Sequence, residues 1–312
     1  MEIGTNRRIE IILQDYSQLT VAAALAFPKD FEKGKDTKEM INLLRHTLLN
    51  TLLSDKQKFG KEYGQIVMAI DSREYWRRDY FPQYKGARKK KRDESKTDWK
   101  SIFDIATQLR DEFREVFPYK YVLVDKCEGD DIIAVLAKYS QTNELATVGL
   151  MDDEPQRVLI KSNDGDFAQL HKYKNVRQWN PILKKFVKAS DKHALLEKCL
   201  VGDAGDGIPN IKTHDNFFME EGGRQSSITS KIKAAAIAQF DAGQPVVFGD
   251  QTMDRNYSRN RNLIDFDFIP DHIDRKIIDI YTKAVPVRDK GKIFNYLIAN
   301  RCKLLMSRIQ EF

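Results

Sequence analysis

Four short apolar runs, each followed within three residues by an aspartate and then by a stretch of helical spacing, constrain this chain more than any other feature. Arg8–Gln14 (RIEIILQ) runs into Asp15, and Gln65–Ile70 (QIVMAI) into Asp71. Tyr121–Val124 (YVLV) leads to Asp125 and the acidic turn CEGDDIIAVLAKYS, and Val158–Lys161 leads to Asp164 and Asp166. The intervening segments carry apolar residues at steps of three and four, as in Ile41, Leu44, Leu48 and Leu52. Short continuous apolar strands alternating with helices indicate an α/β fold, with a mainly parallel sheet covered by helices on both faces. Function in such sheets collects at the carboxyl ends of the strands. A single strand-DGD-helix junction is well explained as a turn and an N-cap. Four strands that each deliver an Asp to one edge are better explained as an acidic cluster assembled from distant parts of the chain.

With 312 residues the chain has room for about two domains. A hydrophobic content of 41% against 31% charged residues describes a soluble globular protein. No apolar run approaches a membrane span and the N-terminus lacks a signal-peptide core, so no membrane association is expected. Cys127, Cys199 and Cys302 are odd in number and far apart. That spacing argues against a disulfide framework or a zinc site and for a reducing, cytoplasmic setting. The net charge of +6 leans towards an anionic partner. From about residue 189 the pattern changes to helices (Lys192–Val201, Ser227–Phe240, Asp274–Thr282, Lys292–Ile309) around the turn-rich GDAGDGIPN. The expected division is therefore an α/β core over residues 1–188 and a smaller helical domain over 189–312.

The candidate acids are Asp15, Asp71, Glu128, Asp130, Asp131, Asp164, Asp166, Asp203 and Asp206. Glu128 and Asp131 share one face of a starting helix, with Asp130 rotated by about 100°. Asp203 and Asp206 lie in a Gly-rich turn, where they are either ligands or turn formers. Crowded carboxylates are costly unless cations neutralise them, and all-oxygen ligation selects Mg²⁺ or Mn²⁺ over zinc. The number of acids exceeds what one ion needs, which points to two metals and a phosphoryl displacement. The five histidines form no H-x-x-x-H pair, and no Walker-type loop is present.

Directly after Asp71 comes SREYWRRDYFPQYKGARKKKRDESKTDW. Tyr75, Trp76, Tyr80, Phe81 and Tyr84 precede a run of cations: Lys85, Arg88, Lys89, Lys90, Lys91 and Arg92. Springing from the acidic edge, this segment is suited to hold phosphates with its cations and to stack unpaired bases on its aromatics.

The set QDYSQL, AIDSREYWRRDYFPQYKGAR, CEGDDIIAVLA, SNDGDFAQLH and VGDAGDGIPN resembles the flap-endonuclease family of structure-specific 5′ nucleases over nearly the whole chain. The resemblance implies a PIN-like core with a basic helical arch at about residues 73–97 and a Mg²⁺-dependent 5′→3′ exonuclease and flap endonuclease. It also implies removal of RNA primers and adjoining DNA during replication. By motif matching, Asp15, Asp71, Asp130 and Asp164 would surround one metal, with Glu128 and Asp131 in support. Asp166, Asp203 and Asp206 would serve a second. Lys85 and Arg88 match the family's basic pair at the base of the arch, and Tyr84 a base-stacking aromatic. The implied substrates are 5′-flap, forked or nicked duplex DNA and RNA–DNA hybrids, handled by a monomer. The implied protein partners are a single-stranded-DNA-binding protein and a sliding clamp. Near residues 200–220, GIPNIKTHDNFF keeps only the beginning of the family's helix–hairpin–helix, and Gln14 stands where an apolar residue is usual. Other readings of the acids are a PIN-like ribonuclease, disfavoured by the long arch and large C-terminal domain, and a non-catalytic nucleic-acid binder. A pure binder gains nothing from crowding carboxylates beside phosphates.

Overall fold

The structure, a computed structural model, describes residues 10–141, 156–220 and 223–312. The chain begins with β1 (Ile11–Asp15), α1 (Tyr16–Leu25), α2 (Thr37–Tyr63) and β2 (Gln65–Ile70). Two short helices, α3 (Trp76–Tyr80) and α4 (Arg88–Asp93), precede α5 (Trp99–Val116), β3 (Lys120–Leu123), α6 (Gly129–Tyr139) and β4 (Val158–Lys161). A 3-10 helix over Gly165–Lys172 leads to β5 (Val176–Asn180) and β6 (Lys185–Phe186). The rest is helical: α7 (Ala194–Val201), α8 (Ser230–Asp241), α9 (Gln251–Ile264), α10 (Asp271–Lys283), α11 (Lys290–Ala299) and α12 (Lys303–Met306).

The strands form one sheet in the order β3-β2-β1-β4-β5-β6. All neighbours pair in parallel except β5 and β6. The register sets Ile12 beside Ile66 on one side and Leu159 on the other. Successive side chains of a strand point to opposite faces. Along β1, Ile12 enters a core shared with Leu48, Leu52, Ile102 and Leu109 of α2 and α5. Ile11 and Leu13 are equally buried on the other face, where α6 packs against β1 and β2. Burial on both faces is why these strands are written as unbroken apolar runs.

Contacts divide the chain into two compact units. The first lies within Met1–Arg73, Ser95–Val187 and His272–Phe312, and the second within Glu74–Glu94 and Lys188–Asp271. This differs from the consecutive division at residue 189 expected from the sequence. In the first unit, Ile293, Leu297, Cys302, Leu305 and Phe312 of the C-terminal segment complete the core against α2 and α5. In the second, Phe81 and Tyr84 are buried with Leu196, Leu200, Ile208 and Ile264, and Arg77 Nε donates to the Leu263 carbonyl at 2.8 Å. The arch segment therefore folds with the helices of residues 188–271. The single helix expected over Lys292–Ile309 is broken after α11, where Arg301 takes a positive φ of 54°. Helix α9 and strands β5 and β6 were not anticipated. Among the described residues, no helix is long and apolar enough to cross a membrane.

Candidate active site

The parallel order β3-β2-β1-β4 brings the carboxyl ends of four adjacent strands to one edge. Asp15 ends β1, Asp71 follows β2, Glu128, Asp130 and Asp131 open α6 behind β3, and Asp164 and Asp166 follow β4. The seven acids expected at this edge from the first unit are all there. Four neighbouring strands at about 4.8 Å spacing spread them over about 15 Å.

Five of the seven acids are fixed by the backbone. Asp15 Oδ1 accepts from the Gln18 amide at 2.9 Å and caps α1. Asp71 Oδ1 accepts from Gly129 N at 2.6 Å, which ties the end of β2 to the start of α6. A Cβ on Gly129 would lie 3.3 Å from that carboxylate oxygen, so the close approach favours glycine. Asp164 Oδ1 accepts from Asp166 N at 2.8 Å. Glu128 and Asp131 form a capping box, with Asp131 Oδ2 accepting from Glu128 N at 3.1 Å. These two are almost fully buried, whereas Asp15, Asp71, Asp130, Asp164 and Asp166 are partly exposed. The capping-box pair thus holds the helix start, and the five others present carboxylates at the edge.

Three glutamines brace the same loops, and only a structure could find them. Gln14 Nε2 donates to the Lys161 carbonyl at 3.4 Å, and Gln18 Oε1 accepts from Asn163 N at 3.0 Å. Gln178, on β5, donates to the carbonyls of Ser162 and Asp164 at 3.0 and 2.7 Å. Gln14, which departs from the family's apolar residue, is buried and cross-links β1 to β4. The turn after β2 is tied to the turn after β3 as Ser72 N donates to Cys127 O at 2.8 Å.

The donor set is all carboxylate, which suits a hard divalent ion such as Mg²⁺ or Mn²⁺ and not a soft one. Among the described residues, no group of three or more His, Cys, Asp or Glu side chains stands close enough to hold a metal ion as it is. Asp15, Asp71 and Asp164 are each turned to a backbone amide.

The remaining acids, Asp203 and Asp206, belong to the second unit and are engaged by cations there. Asp203 accepts Lys198 Nζ at 2.9 Å and the amides of Gly205 and Asp206 at 2.8 and 3.2 Å. Burial pushes the Asp203 carboxyl upward, but Lys198 and these amides outweigh it and hold the group below its ordinary value. Asp206 accepts the Tyr84 hydroxyl at 2.9 Å, lies 3.6 Å from Lys85 Nζ, and pairs with Arg88 through a short charge-assisted bond. Lys85 is held twice, because its amide also donates to the Asp206 carbonyl at 2.8 Å. Its φ of 56° is the left-handed region, unusual for a residue other than glycine.

This geometry corrects one expectation. Tyr84 is only 3% exposed, with its ring in the core of the second unit, so it offers no surface for base stacking. Trp76 and Phe81 are buried as well, and Tyr80 is the aromatic of this stretch that is most exposed. The spacing of aromatics before a cationic run carried no signal that they would be core. The Lys85 side chain is 10% exposed, between the Tyr75 and Tyr84 rings and Asp206, whereas that of Arg88 is 46% exposed. Lys89, Lys90 and Lys91 are exposed and Arg92 half-buried, and no residue of α4 is buried. The turn itself depends on Gly202, which closes α7 with a φ of 77°. A Cβ there would meet the Ile208 carbonyl at 2.3 Å. Among the described residues only a short 3-10 helix over Phe217–Met219 lies between the turn and α8, so no α-helix there continues the helix–hairpin–helix beginning at GIPN.

Comparison with known proteins accords with this arrangement. A family model for the N-terminal resolvase-like domain of 5′-3′ exonucleases matches residues 10–199, and one for the C-terminal part of T4 RNase H matches residues 189–312. The chain is 37% identical over 310 residues to Ribonuclease H of Enterobacteria phage T4, across 97% of this chain and 95% of that protein. This chain belongs to the 5′-3′ exonuclease family. It is a nuclease of that family, and its own sheet is six-stranded and mainly parallel, with a helical C-terminal part. Two solved structures of lower identity share the fold. The T5 D15 protein co-crystallised with metal ions matches at a TM-score of 0.56 and 19% identity, over 86% of this chain and 98% of that one. A T5 D15 flap endonuclease pseudo-enzyme–product complex with DNA and metal ions matches at 0.55 and 16%, over 88% and 99%.

Proposed function

We propose that this member of the family is a Mg²⁺- or Mn²⁺-dependent 5′→3′ exonuclease and flap endonuclease that removes RNA primers and adjoining DNA during replication. The observation that carries the reading is the carboxylate edge: partly exposed Asp15, Asp71, Asp130, Asp164 and Asp166 on the ends of four adjacent strands, with Glu128 and Asp131 locked beneath them. Asp15, Asp71, Asp130 and Asp164 would hold one divalent ion, with Asp166 beside them. Divalent ions held there would supply Lewis-acid stabilisation of a phosphodiester under attack, a pair of them in the two-metal reading. The protein's own contribution is to fix the carboxylates through the amides of Gln18, Gly129 and Asp166.

A polyanion approaching an acidic edge needs cations elsewhere on the protein. Arg88 and the exposed Lys89, Lys90 and Lys91, with Arg92, supply them, and Lys85 is kept in place by Asp206. Nucleic acid is the substrate: the T4 relative is named a ribonuclease H, and a fold relative was crystallised with DNA. A single-stranded-DNA-binding protein and a sliding clamp are the partners that the family resemblance implies, in the cytoplasm and with the enzyme as a monomer. The test is product analysis. A 5′-labelled flap and a 5′-labelled RNA–DNA duplex, incubated with enzyme and Mg²⁺, should release short labelled products. Shortening from the 3′ end, or binding without cleavage, would overturn the proposal.

A further inference from the structure

At the opposite end of the sheet from the carboxylates, the first unit contains a cavity of about 570 Å³. Its floor is the amino end of two strands: Gly64, Gln65 and Ile66 at the start of β2, and Pro118 and Tyr119 just before β3. Ile293 and Phe312 add apolar wall. Three cations from two distant segments, Lys56 of α2 and Arg288 and Lys290 at the start of α11, line the same space. The one acid among the lining residues, Asp289, is committed to the Lys292 amide, which it accepts at 3.1 Å as the N-cap of α11. The Tyr119 side chain is 3% exposed, and its hydroxyl is buried without a hydrogen-bond partner.

A pocket of this size falls in the range of about 300–1,000 Å³ usual for small ligands. Three cations against the single carboxylate of Asp289 leave the lining net positive, and an anion among them reduces their mutual repulsion. The effect is visible at Lys56, whose ammonium is held below its ordinary value first by burial and then by Lys290 and Arg288. Three cations supply more hydrogen-bond donors than a single carboxylate accepts, and an arginine fork matches a phosphate. The apolar and aromatic wall calls for an organic body attached to that phosphate.

We infer that this cavity binds a small phosphate ester of nucleotide size, with the phosphate among Lys56, Arg288 and Lys290 and the organic part against Ile66, Pro118, Ile293 and Phe312. The site is separate from the carboxylate edge, and its occupation does not depend on the proposed nuclease chemistry.

Isothermal titration calorimetry of the whole chain tests it, with a chelator present so that no divalent ion recruits phosphate elsewhere. The probes are deoxyadenosine monophosphate, deoxyadenosine and inorganic phosphate. The monophosphate should bind saturably, and each of the other two at least about tenfold more weakly. Arg288→Gln with Lys290→Gln changes two exposed side chains and should weaken the monophosphate about tenfold or more while leaving flap cleavage unchanged. Lys56→Gln should do the same from the other wall. No saturable heat up to about 10 mM monophosphate, or undiminished binding by both variants, overturns the inference. Inorganic phosphate binding as tightly as the monophosphate overturns the assignment of an organic body.

Discussion

The ion pair between Asp55 of α2 and Lys161 at the end of β4 is the most exacting point in the first unit. The side chains are 11% and 4% exposed, and Lys161 Nζ donates directly to Asp55 Oδ2. Burial is the largest influence on both: it raises the Asp55 carboxyl and lowers the Lys161 ammonium, each opposed by its partner. Removing one member leaves a buried charge without compensation, which costs about 3–5 kcal/mol. That is a large part of the roughly 5–15 kcal/mol that holds a domain folded. The two single losses are not equal. Lys58 lies close enough to favour ionised Asp55 and to disfavour charged Lys161. Lys161→Met therefore leaves Asp55 with a second cation, whereas Asp55→Leu leaves Lys161 facing one, and Asp55→Leu should be the worse. The double variant, apolar on both sides, should return to within about 1 kcal/mol of the parent or exceed it. The Asp55→Leu penalty should also shrink at high pH. Its folded Lys161 loses its proton below the ordinary lysine value of 10.5, so between those two values the unfolded chain binds more protons and stability rises with pH. Urea unfolding followed by circular dichroism measures all of this. Single losses under about 1 kcal/mol, or a double variant as unstable as the worse single, would show that the pair is not desolvated as the geometry requires.

Three further outcomes follow from other parts of the chain. Replacing Lys89, Lys90, Lys91 and Arg92 with serine should weaken binding to flap, nicked and hybrid duplexes alike and flatten the dependence of affinity on salt by about 0.9 log units per lost duplex phosphate contact. A loss confined to one substrate would contradict this. Asp203 and Asp215 are both held below their ordinary value against the effect of burial, Asp203 by Lys198 and Asp215 by Arg255 and Arg259. Because folded-state values are depressed, their stabilisation is present above the ordinary carboxylate value of 3.8, begins to fall as pH drops to it, and is lost as pH falls through the lower folded-state values. Thermal melts should therefore show the second unit losing stability from about pH 4 downward, and Asp215→Asn should blunt that loss. Gly202→Ala places a Cβ against the Ile208 carbonyl at a positive φ, and should cost more than about 1 kcal/mol in urea unfolding. A change of a few tenths would mean that the turn relaxes.

Much of the first unit was legible because its strands are buried on both faces and therefore continuous in apolar character. Gln65–Ile70 and Val158–Lys161 were read to the residue. β5 was missed because Arg177 and Gln178 interrupt its apolar pattern, Arg177 lying over the Phe186 ring and Gln178 holding the loop after β4. Lys161, read only as the end of an apolar run, is charged and buried, and nothing local announces that its partner lies on α2. The gathering of the acids was readable, since each closes a strand. Local capping, as by Asp15 and Asp164, was also readable, whereas the bond from the Gly129 amide to Asp71 was not, because the two lie 58 positions apart. The division into units was hidden for a similar reason: Phe81 and Tyr84 look like surface aromatics beside a cationic run, and their burial depends on residues more than a hundred positions away.

The central claim is that the carboxylate edge carries metal-dependent phosphodiester hydrolysis, and Asp71 is its most telling residue because it directly follows β2, the strand between β1 and β3. The measurement is the single-turnover rate of cleavage of a 5′-labelled flap at saturating enzyme, for the parent and Asp71→Asn, across a Mg²⁺ titration and in excess chelator. The account predicts no cleavage by either protein in chelator. With Mg²⁺, Asp71→Asn should be slower by at least about a hundredfold, equivalent to nearly 3 kcal/mol of transition-state stabilisation, while its affinity for the flap is unchanged. Cleavage in chelator at the full rate, or an Asp71→Asn rate equal to that of the parent, would contradict it.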